Sequence, residues 1–372
     1  MVIKNANAFI DGRFKTVDIE LSGGKIHRIG NLRDAGTYDA RGQYVLPGFV
    51  DIHIHAFGGA DCMRGEADVR QMSLGLRRTG VAAFVPTTMS AYPEETRAAL
   101  RGISRVMHDP EPLGSRVLGA HMEAPFLAPD YKGAQRAECL MLPSVSAYLE
   151  LTEGADCVRM MTLAPELPGA LPLIAYLKDQ EIVTCAAHTG ATAAQIHAAA
   201  DAGLSQITHL FNAQTPLHHR EPGVPGAGLA DDRIAVQLIA DCIHLHPDVL
   251  RIAGLCKGAK GCILISDSME AAGLPDGRYS LGGQEVIVSE GAARLVSGVL
   301  AGSTLMLHQA VHNMIVQCGL APETVIPMAT STPAAAIQAE GFGKIAEGYA
   351  GTLVVMDKDW NFVTALYEGM EM

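Results

Sequence analysis

Between residues 45 and 267 the chain repeats one pattern: a short run rich in Val, Ile, Leu and Ala, then a longer stretch with helical spacing of its apolar positions. Continuous apolar runs read as strands buried on both faces, and strands alternating with helices imply a parallel sheet joined by crossovers. Eight strand candidates lie at 45–54, 82–88, 117–123, 158–163, 182–188, 206–212, 234–241 and 262–267. Helical segments fit between them at 67–78, 93–107, 145–151, 170–179, 193–202 and 247–255, with 303–318 after the last strand. Eight such units specify an α/β chain folded as a (β/α)8 TIM-like barrel. The connection after the sixth strand, FNAQTPLHHREPGVPGAG, is rich in Pro and Gly and is expected to be a shaped loop rather than a helix.

Both ends have a different texture. MVIKNANAFI, GRFKTVDIEL and GKIHRIG read as short strands separated by turns at Asp11-Gly12 and Gly23-Gly24, and GTLVVMDKDW and FVTALYEG resume that texture near the end. A small β-sandwich domain built from residues 1–46 and 340–372 is therefore expected beside a barrel at 47–339. The 28 Lys and Arg against 40 Asp and Glu leave a net charge of −12, which argues against nucleic acid as a partner, because neutralising phosphates needs a cationic face. No stretch approaches the roughly 18 apolar residues of a membrane span. The first residues lack a basic cap followed by an apolar core, so a cytoplasmic protein without membrane contact is expected. The eight cysteines show no CxxC spacing and are read as free thiols.

Barrel enzymes place their chemistry at the carboxyl ends of the strands. Here those ends carry His53 and His55, Thr87 and Thr88, His121 and Glu123, Thr162, His188, His209, Asp241 and Asp267. Side chains two apart on a strand share a face, so His53 and His55 can reach one ion together. Imidazole and carboxylate suit Zn²⁺ and its neighbours, and a catalytic zinc takes about three protein ligands with one position left open. Glu123, His188 and His209, from strands 3, 5 and 6, supply that set. His53 and His55, with Glu123 or Asp267 bridging, provide for a second ion at the roughly 3.5–4 Å separation of two-metal sites. One or two divalent ions are expected, zinc first, with Fe²⁺, Mn²⁺ and Co²⁺ accepting the same ligands. Asp267, over the barrel mouth, is the candidate for taking a proton from the attacking water and returning it to the departing nitrogen. His121 is read as a hydrogen-bonded core histidine. His27, His108, His197, His246, His308 and His312 are read as structural or solvated.

These residues sit in PGFVDIHIHAFGG, HMEAPFLAPDYKGA, TLAPE, AHTGAT, THLFNAQTPLHHREPG, IADCIH, SDSMEAAGLPDGRYSLGG and LAGSTL. With those segments the chain resembles the N-acetylglucosamine-6-phosphate deacetylases of the amidohydrolase superfamily, nearly from end to end. The resemblance implies a homodimer that hydrolyses the N-acetyl group of N-acetyl-D-glucosamine 6-phosphate, a phosphorylated amino sugar, in amino-sugar catabolism. It implies metal ligands at Glu123, His188 and His209 and a general base and acid at Asp267. It also implies substrate contacts at Ala134, Asn212, Ala213, Arg220, His244, Leu300, Ala301 and Gly302, with the arginine of HREPG holding phosphate, in some members from the neighbouring subunit. The planar donors of Arg220 suit phosphate oxygens, and His244, just past strand 7, can donate to the acetyl carbonyl or a sugar hydroxyl.

Four departures from the family pattern stand out. HLEGP reads HMEAP with Ala124, KGAH reads KGAQ with Gln135, TDAM reads SDSM, and Gly190 follows His188-Thr189. None removes a metal ligand, but Gln135 alters a loop near the sugar. N-acetylgalactosamine 6-phosphate, or another N-acyl substrate, is the alternative within the superfamily. A barrel that has lost catalysis is the rival from another class, and the complete ligand set argues against it.

Overall fold

The computed structural model describes residues 1–33, 36–110 and 113–370; residues 34–35 and 371–372 of the expected small domain lie outside the described residues. Eight parallel strands stand in chain order: β1 Phe49–Ile54, β2 Val81–Thr88, β3 Ala120–Met122, β4 Val158–Leu163, β5 Val183–Ala186, β6 Gln206–Ile207, β7 Ala235–Ile239 and β8 Cys262–Ile265. Each pairs in parallel with the next. All eight side chains of VAAFVPTT in β2 are buried, as an apolar run without alternation requires.

The seam between β8 and β1 is closed at the rim. Asp267 N–H donates to the His53 carbonyl at 2.9 Å and Ala56 N–H to the Ser268 carbonyl at 3.0 Å. The buried Asp51 carboxylate spans the same seam, accepting from the backbone N–H groups of Ser266 and His53, both at 3.3 Å. Burial pushes that carboxyl up to about 6, against the pull of those donors.

Helices α1 Glu66–Arg78, α2 Pro93–Met107, α3 Val145–Thr152, α4 Ala170–Asp179, α5 Ala193–Ala202, α6 Gly223–Ala230 and α7 Pro247–Gly261 follow the strands in turn. Their starts follow from local chemistry. α2 opens on Pro93, whose missing N–H costs nothing in a first turn, with Glu95 accepting from Tyr92 N–H at 2.9 Å. α5 has a reciprocal cap in which Thr192 Oγ1 accepts from Gln195 N–H and Gln195 Oε1 accepts from Thr192 N–H. α2 then buries Ala99, Leu100, Ile103 and Val106, an i, i+3, i+4 stripe facing the barrel core.

Several elements differ from the sequence expectation. The run 45–54 is two strands: Tyr44–Pro47 belongs to the terminal sheet, and the chain enters the barrel at Phe49. The strand expected at 206–212 stops at Ile207, because His209, Phe211 and Ala213 have left-handed backbones at φ 32°, 76° and 51°. The Pro- and Gly-rich loop contains α6. Its poor intrinsic propensity is overridden by packing: Gly223, Val224, Pro225, Ala227 and Gly228 are buried, and a Cβ on Gly228 would stand 2.4 Å from Ile207 Cδ1. The helix expected at 303–318 begins only at Leu307, as α8 Leu307–His312, and widens into an i→i+5 turn at Asn313–Gln317. Residue Ser303 instead runs beside the end of β8, its N–H donating to the Asp267 carbonyl at 2.7 Å. Two further helices, α9 Pro322–Ala329 and α10 Ser331–Ala336, complete the layer. Between β8 and α8 an antiparallel meander, Gly277–Leu281, Gln284–Ser289 and Ala292–Leu295, forms a three-stranded flap that the sequence reading left unassigned.

The two ends of the chain meet in one seven-stranded mixed sheet. Its order is Phe362–Leu366, Leu353–Met356, Tyr44–Pro47, Val2–Ile10, Arg13–Ser22, Lys25–Gly30, with Tyr38–Asp39 beside Val2–Ile10. Ile3, Ile19, Leu21, Ile26, Val45, Leu353 and Val355 form its own apolar cluster. It touches the barrel where Gly80, at φ 89°, turns the chain into β2; a Cβ there would lie 2.4 Å from Val354 Cγ2. No helix among the described residues is long and apolar enough to cross a membrane.

Candidate active site

His53 and His55 leave β1 on the same face and point their Nε2 atoms toward the barrel axis, 3.4 Å apart. Glu123, just past β3, lies between them and the other two imidazoles. Its Oε1 is 2.9 Å from His209 Nε2 and 3.2 Å from His188 Nε2, and its Oε2 is 3.4 Å from His55 Nε2. The two nitrogens of His188 and His209 are themselves 3.2 Å apart. Glu123 is thus common to two triads, His53–His55–Glu123 and Glu123–His188–His209, and in each the ligand atoms all lie within 4.8 Å of one another. Asp267 Oδ1 closes the first group at 3.1 Å from His55 Nε2 and 3.4 Å from His53 Nε2. All six side chains are buried.

The donor chemistry fits a divalent cation. His55 Nδ1 donates to the Thr87 carbonyl and His188 Nδ1 to the Tyr131 carbonyl, both at 2.9 Å. A carbonyl only accepts, so Nδ1 carries the proton in the neutral ring and the Nε2 lone pair faces inward. Burial disfavours charge on His55, yet its hydrogen bond with Asp267 and the Glu123 and Asp267 charges outweigh it and push the ring up to about 9. His188 is raised as well, burial being outweighed by Glu123. Burial alone would raise Glu123 and Asp267, but the surrounding imidazoles hold both well below the usual carboxylate range. Such pairs favour positive charge at the points where the Nε2 atoms converge, and a metal ion competes with protons for those points.

Beneath this layer His121 is a core histidine, as expected. Its Nε2 is 2.7 Å from Thr162 Oγ1, which continues to Thr208 Oγ1 at 3.0 Å. Burial and the neighbouring His53 hold its pKa well below the ordinary value, so it stays neutral.

A cavity of about 370 Å³ opens above the cluster, within the size range of small-molecule sites. Of the expected substrate contacts, Ala134, Asn212, Ala213, His244, Leu300 and Gly302 line it, together with His55, Glu123, His188, His209 and Asp267. Two do not. Ala301 is buried with its N–H on the Ala293 carbonyl. Arg220 stands in an exposed loop with Nη1 against His219 Nε2, 2.8 Å away. His244 Nδ1 is held by Asp241 Oδ2 at 2.6 Å; burial alone would lower its pKa, but the Asp241 hydrogen bond and charge outweigh burial and raise it.

Three supports were not assigned from sequence. Glu166, in TLAPE, accepts from Gly190 N–H at 2.6 Å and from the Thr189 hydroxyl, fixing the loop that carries His188. Tyr131 supplies its carbonyl to His188, and Gln135 donates to Glu123 at 2.7 Å. The clustering of these residues in segments next to strand ends was the available signal; a backbone carbonyl partner leaves none.

Comparison with known proteins converges on one group. The amidohydrolase family pattern matches residues 44–370. The N-acetylgalactosamine-6-phosphate deacetylase of Escherichia coli O157:H7 is 38% identical over 318 residues, covering 85% of this chain and 84% of that protein. The N-acetylglucosamine-6-phosphate deacetylase of Lysinibacillus sphaericus is 33% identical over 366 residues, covering 96% of this chain and 94% of its own. Among solved structures, a mutant N-acetyl-D-glucosamine-6-phosphate deacetylase from Mycobacterium smegmatis in complex with N-acetyl-D-glucosamine-6-phosphate superposes with a TM-score of 0.90 at 30% identity, covering 98% of this chain and 97% of that one.

Proposed function

Because the chain belongs to the amidohydrolase family, within its N-acetylglucosamine-6-phosphate deacetylase branch, we propose that it hydrolyses N-acetyl-D-glucosamine 6-phosphate to D-glucosamine 6-phosphate and acetate. The observation that carries the reading is the convergence of Glu123, His188 and His209 with Asp267 at the floor of one cavity.

Glu123, His188 and His209 are assigned to one divalent cation, and His53 and His55 with Glu123 to a second; zinc leads Fe²⁺, Mn²⁺ and Co²⁺ on ligand chemistry. A cation held by these residues would polarise the acetyl carbonyl and acidify water. Asp267, kept ionised by His53 and His55, takes the proton of the attacking water and returns it to the amine nitrogen as the C–N bond breaks. His244, oriented by Asp241, donates to the acetyl carbonyl or a sugar hydroxyl. The Asn212 side chain and the backbone at Ala213 and at residues 300–302 orient the sugar, with Ala134 against one face. Ala301 takes part through its neighbours' backbone rather than its side chain. Arg220 is assigned to the substrate phosphate, in this subunit's site or across a homodimer. A sugar phosphate does not cross a bilayer unaided, because its charge is costly in an apolar medium, which supports a cytoplasmic enzyme.

The galactosamine epimer is the second reading, favoured by the 38% identity to the Escherichia coli N-acetylgalactosamine-6-phosphate deacetylase. Acetate release from both 6-phosphates and from the unphosphorylated sugars, measured side by side, tests the assignment. The glucosamine 6-phosphate derivative should give the highest kcat/KM; equal turnover of the unphosphorylated sugar would overturn the phosphate role of Arg220. Sedimentation of the purified protein checks the dimer.

A further inference from the structure

We propose that Gln135 is a positioning residue: it sets the rotation of the Glu123 carboxylate, and through it the cation affinity of both triads that share this carboxylate. The inference rests on the reading of the site as a cation-dependent hydrolase centre. Gln135 is 2% exposed, and its two amide atoms have different jobs. Its Oε1 accepts from the Ser90 backbone N–H at 2.7 Å, and its Nε2 donates to Glu123 Oε2, also at 2.7 Å. Ser90 N–H can only donate, so the amide oxygen must face it and the NH₂ must face the carboxylate. Its own backbone is held as well, with Gln135 N–H on the Lys132 carbonyl at 2.9 Å.

The last torsion of a glutamate is soft. Glu123 needs a definite rotation, because Oε1 serves His188 and His209 while Oε2 faces His55. Gln135 is a fixed, uncharged donor on Oε2, so it anchors that rotation without cancelling the carboxylate's charge and without titrating. Outer partners of metal ligands typically contribute about 10–100-fold in metal affinity. Because Glu123 is common to both triads, the anchor acts on both together, which separates this role from that of a residue supporting one ligand only.

The test is Zn²⁺ affinity and stoichiometry measured by chelator competition on wild type, Gln135→Leu and Gln135→His, with melting midpoints on the same preparations. Gln135→Leu should bind Zn²⁺ about 10–100-fold more weakly at every occupied position. Gln135→His, which retains a ring N–H and a ring acceptor, should return to within a few-fold of wild type. Should the leucine variant fail to fold, Gln135→Met, with a flexible side chain of similar length, takes its place. Unchanged Zn²⁺ affinity in the folded donor-less variant, weakening at one position alone, or no recovery with histidine would overturn the inference. A lowered midpoint with unchanged affinity would show a purely structural role and would overturn it too. Acetate release by wild type is scored separately. An active wild type with unaltered affinity in Gln135→Leu refutes only the role of Gln135, and an inactive wild type with the expected affinity pattern refutes only the deacetylase reading.

Discussion

Replacing Asp267 by Asn tests its proposed role as proton carrier apart from the rest of the site. Asn has the same shape, and Asp267 sits at φ 48°, a left-handed backbone that Asn tolerates as well as Asp does. The backbone there is pinned by its N–H on the His53 carbonyl and by Ser303 N–H on its own carbonyl, neither of which involves the carboxylate. The backbone fold should therefore persist, while the melting midpoint falls because His53 and His55 lose the carboxylate that faces them. The Glu123–His188–His209 triad does not include Asp267, so a cation assigned there should remain, while the His53–His55 side loses a neighbouring charge and should shed at most one equivalent. What Asn cannot do is take a proton from water or give one to the amine. A positioned acid or base contributes roughly 10²–10⁴-fold, so kcat should fall by that factor, which at 1.36 kcal/mol per decade is about 3–5 kcal/mol of barrier. The assay is coupled acetate release with metal counted by mass spectrometry on the same preparation. An Asn variant that keeps its cation and turns over within tenfold of wild type would refute the assignment.

Removing cations with a chelator should abolish acetate release and lower the melting midpoint, and restoring Zn²⁺ to about 100 times its dissociation constant should return roughly 2.7 kcal/mol of stability; an apo protein with full activity and an unchanged midpoint would sink the metal reading. His308, stacked on Phe362 at 4.3 Å between ring centroids, is driven by burial down to about 4 from an unfolded value near 6.5. Its neutral form is the folded form, so this stability is complete above pH 6.5 and drains as pH falls through 4, by about 3 kcal/mol in all. Urea titrations of His308→Gln across that window should show a shallower loss than wild type, and parallel curves would contradict it. Gly80→Ala should cost about 2–5 kcal/mol, combining a left-handed backbone with a Cβ 2.4 Å from Val354 Cγ2. Val354→Ala in the same chain should restore only the steric part, and a neutral Gly80→Ala would show that the junction yields.

The barrel was legible because its strands are apolar without alternation, a signal carried by side chains alone. The candidate site was legible for a related reason: His53, His55, Glu123, His188, His209 and Asp267 are chemically distinctive residues at strand ends, and the structure brings their side chains together. What stayed hidden depends on backbone. The Nδ1 partners of His55 and His188 are the carbonyls of Thr87 and Tyr131, and any residue carries a carbonyl. Helix α6 was hidden because GVPGAGLA has no helical preference of its own and forms only where Gly228 lets it close on Ile207. The meander at Gly277–Leu295 did have a signal, with Gly282-Gly283 and Glu290-Gly291 separating short strand-forming runs, but it interrupts the barrel alternation and was absorbed into a motif. Arg220 and Ala301 show the limit of motif transfer, since a matching segment locates a residue in the chain without saying which way its side chain points.

The left-handed residues at the rim explain why the expected strands overrun their ends at the very residues that gather in the site. His188, His209 and Asp267 have φ of 48°, 32° and 48°, a region uncommon for side-chain-bearing residues, entered more readily by His, Asp and Asn than by β-branched ones. Each stands just past the point where its strand stops, so the chain leaves the sheet through a residue whose side chain turns into the cluster. An extended continuation would send alternate side chains to opposite faces and could not bring both histidines and the carboxylate over the axis. The expected strand at 206–212 therefore had to break at 208, and the same turn that shortens β6 to two residues delivers His209 to Glu123. The backbone strain is held by hydrogen bonds from neighbouring segments, Ala128 N–H on the His188 carbonyl at 2.9 Å and Asp267 N–H on the His53 carbonyl, so the backbone itself fixes where these side chains stand.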